Sequence, residues 1–109
     1  MTFSLSTASH GTTRVVRLSG ELDIATAPKV RRAIHDLLTE SADPVVIDLA
    51  GVQFMDSSGL AVLVAGHKRA NYQGGSFAVS RLAPPVAKVF ELTHADQLMP
   101  VLDDDPVAV

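Results

Sequence analysis

The segment Phe54-Met55-Asp56-Ser57-Ser58-Gly59-Leu60 concentrates the groups in this chain whose types and spacing could do chemistry. A carboxylate, two hydroxyls and a glycine stand just ahead of the apolar run Leu60-Ala61-Val62-Leu63-Val64-Ala65. That order predicts a helix starting at Ser57. The first turn of a helix has free N–H groups and the positive end of the dipole, so it accommodates an anion such as phosphate. A serine there is exposed while the helix body beneath it is buried, so it can be phosphorylated without unfolding the domain. Gly59 has no side chain and lets another backbone, or a nucleotide phosphate, approach closely. The plainer structural reading is that Asp56 or Ser57 is only an N-cap.

Other signals are weaker. His10, His35, His67 and His94 lie on different predicted elements, none at metal-ligand spacing from another, and read as surface residues. Cysteine is absent, which excludes disulfides, thiolate catalysis and Cys-ligated zinc. Gly66-His67-Lys68 resembles the end of a P-loop but lacks its earlier glycine and its following Ser/Thr, and falls late in a helix. Ser57 lacks the glycine two residues ahead that a nucleophile elbow needs. Residue types alone leave a small Ser-His-Asp hydrolase or nucleotide-binding protein open, although nothing in the sequence brings a histidine to Ser57. Asp103-Asp104-Asp105 lacks the spaced ligands of a calcium loop and reads as a solvated tail. Arg31 and Arg32 read as a solvated helix face or a rim contact for an acidic partner. No catalytic residue, metal or cofactor follows, and the chain is not expected to be an enzyme.

The elements that must position the Asp56–Gly59 segment follow from periodicity. Phe3 to Thr7 and Arg14 to Ser19 alternate as strands and form an antiparallel hairpin across His10-Gly11-Thr12. A first helix follows Gly20-Glu21-Leu22-Asp23, capped by Thr26 with Pro28 in its first turn, and buries Val30, Ala33, Ile34, Leu37 and Leu38. Val45 to Leu49 is a strand buried on both faces, and Gly51 to Met55 is a connection. The helix from Ser57 to about Asn71 has no polar face in its first half, reaches the surface at His67, Lys68 and Arg69, and stops at Gly74-Gly75. Ser76 to Ser80 is a strand, Pro84-Pro85 opens a third helix, Thr93 to Asp96 is a loop, and Leu98 to Leu102 is an edge strand because of Pro100. The order ββαβαβαβ predicts an α/β fold: a mixed, mainly parallel sheet of four to five strands with an N-terminal hairpin and three or more helices.

Composition bounds the rest. The chain has 109 residues, 47% hydrophobic and 19% charged, with a net charge of −3. That fits one globular domain and argues against nucleic-acid binding, which calls for a basic patch. No apolar segment nears the ~20 residues needed to cross a bilayer, and the N-terminus lacks the pattern of a secretory signal, so a cytoplasmic domain is expected.

Val46-Ile47-Asp48-Leu49, Val52 and the run from Phe54 to Leu60 resemble the signature of STAS domains, specifically of bacterial anti-sigma factor antagonists. Gly20-Glu21-Leu22-Asp23 is similar to that family's second motif, and Gly74-Gly75 and Pro85-Val86 with Val89-Phe90 also fit. The resemblance covers residues 3 to about 102. It implies a protein that binds an anti-sigma factor with a histidine-kinase-like ATPase fold and serine kinase activity, and so frees a sigma factor. By position in the motif Ser57 is the phosphoacceptor, with Asp23, Asp56, Ser58 and Gly59 in the partner surface. Phosphorylation ends the interaction and a serine phosphatase restores it. Residues 1–103 form the domain on this reading and 104–109 a flexible acidic tail that adds little to the core. The family usually has a further helix after the last strand, which Pro106 opposes here. Some members have no kinase partner, so the alternative is a non-phosphorylated scaffold in a signalling or lipid-transport assembly. Those members commonly lack an intact Asp-Ser-Ser-Gly.

Overall fold

Gly11 takes a left-handed φ of 62°, and the chain reverses there. β1 (Ser4–His10) and β2 (Thr13–Leu22) pair antiparallel around it, with Leu5 opposite Leu18. The computed structural model describes residues 2–107, so Met1 and positions 108–109 of the expected tail lie outside the described residues. After the hairpin come α1 (Ala27–Glu40), β3 (Val45–Met55), α2 (Ser57–Tyr72), β4 (Phe77–Ser80), α3 (Pro84–Thr93), the single turn α4 (Ala95–Leu98) and β5 (Val101–Leu102). The sheet order is β1-β2-β3-β4-β5, parallel from β2 onward. A sequential parallel order with right-handed crossovers puts the helices on one face. This is the mixed sheet with an N-terminal hairpin that the periodicity predicts.

The helix-facing side holds the core. Val16, Leu18, Ile47 and Leu49 of the sheet belong to one buried cluster with Ile34, Leu63 and Phe90 of the helices. α1 and α2 pack closely where Gly66 stands, since a Cβ there would come within 2.9 Å of the Phe77 ring and 3.1 Å of Ile34. α2 is less uniformly buried than its sequence suggests: the small Ala61 and Ala65 take the outward side. His67, expected at the surface, is buried. Asn71 donates to His67 Nε2 (2.9 Å), which leaves Nδ1–H to face the Phe77 carbonyl (3.3 Å).

Several boundaries move. Gly51 to Met55 is not a connection but the second half of β3, paired with β2 as far as Leu22 opposite Met55 through two register shifts. Thr93 to Asp96 is not an open loop: Thr93 ends α3, His94 takes a left-handed φ of 61°, and α4 follows. The last strand shrinks to Val101–Leu102, because Pro100 has no N–H to give and supplies only its carbonyl, to the Val79 N–H (3.0 Å).

On the sheet face away from the helices, Arg17 and Ser80 are the register neighbours of Asp48. Asp48 is 3% exposed, and a buried carboxylate requires charged partners. Arg17 donates to its Oδ2 (2.6 Å), and Arg81 donates twice, from Nε to Oδ1 (3.2 Å) and from a terminal nitrogen to Oδ2 (2.6 Å). Asp105 then accepts from Arg17 at 2.7 Å and lies 3.6 Å from Arg81. The solvated acidic run expected at the C-terminus therefore holds for the exposed Asp103 and Asp104 but not for Asp105.

Two measurements check this network. Breaking a buried pair typically costs about 3–5 kcal/mol. Arg17 and Arg81 keep about a third of their side chains in solvent, at 34% and 31%. Asp48→Asn is therefore expected to cost less, about 2–3 kcal/mol, as a lower urea midpoint with unchanged slope. The Asp105 carboxyl is held below its ordinary range, first by the Val107 N–H and then, against a desolvation effect, by Arg17 and Arg81. Because its folded value is depressed, the stabilisation it gives is present above the ordinary aspartate value of ~4 and is lost as pH falls through the lower folded value. A carboxyl NMR titration should place its midpoint below the ordinary aspartate value of ~4.

Candidate functional site

β2 and β3 end side by side, so the loops that follow them emerge at the same edge of the sheet. Asp23 directly follows Leu22, and Asp56 directly follows Met55, its register partner. The topology thus brings together the two acidic residues that the sequence puts in separate motifs.

Each loop is fixed by its own aspartate. Asp56 is the N-cap of α2: Oδ1 accepts the N–H of Ser58 (2.9 Å) and of Gly59 (3.1 Å). Its own N–H donates to the Leu22 carbonyl (3.2 Å), which ties the cap to the end of β2. Thr26 stands at the N-cap of α1 as expected but makes no side-chain cap bond; in the loop ahead of it Asp23 Oδ1 accepts the N–H of Ala25 (3.0 Å) and of Thr26 (3.2 Å). The Thr26 hydroxyl is turned back into the loop, donating to the Glu21 carbonyl (2.7 Å) and accepting from the Asp23 N–H (3.0 Å).

Ser57 is the first residue of α2 and is exposed, and its hydroxyl makes no hydrogen bond among the described residues. Ser58 is half-buried. Gly59, expected in the partner surface, is buried beneath them. A Cβ at position 59 would lie 2.6 Å from both the Leu22 carbonyl oxygen and the Leu22 Cγ. Its missing side chain therefore serves helix–strand packing and does not open room for a nucleotide phosphate.

The geometry limits the chemistry. The Asp56 carboxylate already takes two of the N–H groups that would greet a free anion, so a free anion has to compete with it. A covalent phosphate on Ser57 does not. None of the histidines hydrogen-bonds Ser57: His67 is committed within α2 and β4, and His35 accepts from Arg69 (2.6 Å). Among the described residues no group of three or more His, Cys, Asp or Glu is placed to hold a metal, and no helix is long and apolar enough to cross a membrane.

Two apolar side chains at this edge escaped the sequence reading. Ile24, between Asp23 and Ala25, is 77% exposed, and Phe54, opposite Glu21 at the end of β3, is 49% exposed. Ile24 carried a signal, being a large aliphatic residue in a tight polar loop. Phe54 did not, since strand alternation alone would allow it either face.

The family model of the STAS domain matches residues 4–105. The chain belongs to the STAS family. This STAS domain is 34% identical over 106 residues to the anti-sigma F factor antagonist of Paenibacillus polymyxa, covering 96% of this chain and 91% of that one. Among solved structures it is similar to an anti-sigma factor antagonist from Mycobacterium paratuberculosis, with a TM-score of 0.81, 30% identity, and coverage of 94% of this chain and 87% of that one. It is also similar to the antagonist SpoIIAA in its unphosphorylated form, with a TM-score of 0.75, 26% identity, and coverage of 92% and 87%.

Substitution at position 59 tests how this STAS domain holds its site. Alanine would gain about 1 kcal/mol of helix propensity, but the added methyl meets a backbone carbonyl that cannot rotate away. Gly59→Ala is expected to destabilise the domain by a net ~1–3 kcal/mol, measured by denaturant unfolding. A neutral or stabilising effect would mean that α2 does not approach β2 this closely.

Proposed function

We propose that this protein is an anti-sigma factor antagonist, switched by phosphorylation of Ser57. Its partner is an anti-sigma factor that is also a serine kinase of the histidine-kinase-like ATPase class, and a serine phosphatase reverses the modification in the cytoplasm. The observation that carries the reading is the Ser57 hydroxyl: exposed, unbonded, and relieved of capping by the neighbouring aspartate. Support also comes from relatives that bear the name of anti-sigma factor antagonists over nearly their whole length, and from SpoIIAA, which is described in an unphosphorylated form.

The unmodified edge offers Ile24 and Phe54 as apolar anchors beside the carboxylates of Asp23 and Asp56, with Ser57 and the half-buried Ser58 following Asp56 at the same edge. In the transfer step the Ser57 oxygen attacks the γ-phosphorus of the partner's ATP. The bond to the bridging oxygen breaks, ADP leaves, and the serine proton passes to a base on the kinase. The product carries about −1.5 to −2 charges. The helix end favours an anion there by about 0.3–1 kcal/mol, and the adjacent Asp56 carboxylate opposes that gain. The two effects partly cancel within the domain, so its fold and melting temperature should barely move. At the docked surface they do not cancel, because an unpaired dianion must lose its water next to a negatively charged nucleotide.

Incubation with the kinase and ATP, followed by intact-mass measurement, tests the acceptor. One added phosphate is expected on the native chain and on Ser58→Ala, and none on Ser57→Ala. Ser57→Ala should remain folded, since Asp56 supplies the cap and a surface change of this kind shifts stability by only about 0.5 kcal/mol. Normal phosphorylation of Ser57→Ala would remove the assignment. No phosphate on any form would leave the scaffold reading.

A further inference from the structure

The helix-free face of the sheet bears a cavity of about 290 Å³ bordered by Ser4, Ser6, Ser19, Arg17, Asp48 and Arg81. Asp48 supplies one negative charge against two guanidiniums, and among the described residues Asp105, reaching in from the end of the chain, supplies the second, so the cluster is neutral with the tail docked and carries one positive charge without it. Asp105 meets the two arginines unevenly, with one bond of 2.7 Å to Arg17 and an approach of 3.6 Å to Arg81. Each guanidinium offers five N–H donors in a planar fork, and the contacts to Asp48 and Asp105 leave donors over on both arginines. A guanidinium fork pairs bidentately with phosphate as it does with carboxylate, and two forks side by side can serve the several oxygens of one tetrahedral oxyanion.

The surroundings point the same way. Arg81 holds a left-handed φ of 56°, unfavourable for a residue with a side chain, and that conformation accompanies two donors aimed at Asp48. Gly51 leaves room for the Ser19 side chain at the cavity, since a Cβ there would come within 2.7 Å of the Ser19 Cβ. The Ser4 and Ser19 hydroxyls, bonded to one another, stand at the rim with Ser6, the register partner of Arg17. The Ser80 hydroxyl, the register neighbour of Asp48, is fully buried with no hydrogen-bond partner among the described residues, but it lies outside the cavity's lining and is not counted in the site.

We propose that Arg17 and Arg81, with the serine hydroxyls of the hairpin, form a binding site for a phosphate-class oxyanion, and that Asp105 is the chain's own competitor for those two arginines. This site lies on the middle of the sheet's open face, away from Ser57, and does not depend on the function proposed above. Ligand binding there releases the tail, and tail docking holds the affinity down.

The test is a titration of the full chain with inorganic phosphate, followed by NMR of the arginine Nε–H groups and the Val107 amide, with acetate as the comparison. In the native chain phosphate should shift the Arg17 and Arg81 signals saturably and move the Val107 amide as Asp105 lets go. In Asp105→Asn the apparent affinity should be about tenfold tighter, the scale expected when one competing charge leaves a partly screened site. Arg17→Lys in that background keeps a charge on Asp48 but loses the fork, and should abolish saturation while the amide spectrum stays folded. The absence of saturable shifts in Asp105→Asn, equal affinities with and without Asp105, or equal responses to acetate and phosphate would each overturn the proposal.

Discussion

The approach of α2 to the end of β2, with no side chain between them at position 59, is the contact on which the arrangement depends. Glycine lets the first turn of α2 settle onto the Leu22 carbonyl, and that carbonyl in turn accepts the Asp56 N–H. Asp56 is thereby held at the N-cap, where its carboxylate satisfies the helix end. Ser57, one residue on, is left over: it has no packing duty and no capping duty. An exposed hydroxyl on a fixed helix end is a consequence of that division of labour, and under the proposed function a fixed end matters because a kinase would have to find the oxygen in a reproducible place.

The sheet has two dissimilar faces. One is filled by helices and supplies the apolar burial that stabilises the domain. The other is organised by charge, with Asp48 at its centre and arginines from β2 and from the residue after β4 on either side. A buried ion pair of this kind adds little net stability over an apolar substitute. What it does provide is register, because Arg17 and Asp48 meet only when β2 and β3 are correctly aligned.

Much of this was legible in the sequence, for physical reasons. Periodicity gave the element order, since core-facing residues must recur every second position in strands and every third or fourth in helices. The Asp56–Gly59 segment announced a helix start because its residue types suit caps. Asp48 also carried a signal: a carboxylate in the apolar run Val45 to Leu49 demands cationic partners, although their identity was not readable. Arg17, Arg81 and Asp105 come from distant parts of the chain, with Arg17 and Asp105 separated by 88 positions. Gly51 to Met55 looked like a connection because its strand pairing runs through register shifts that no alternation pattern records. Thr26 holds the N-cap position, and only the backbone path shows that its hydroxyl turns back to the Glu21 carbonyl while Asp23 accepts the loop's N–H groups. His67 looked solvated beside Lys68 and Arg69, but the partners that allow its burial, Asn71 and the Phe77 carbonyl, depend on how α2 meets β4.

The central claim is that one covalent charge at Ser57 governs association while leaving the domain unchanged. Titration calorimetry of the unmodified and the Ser57-phosphorylated chain against the kinase-type anti-sigma factor, with ADP present, tests it most directly. The account predicts binding weaker by at least about 100-fold after phosphorylation, roughly 2.7 kcal/mol, with no change in the domain's melting temperature. Equal affinities for the two forms would contradict it.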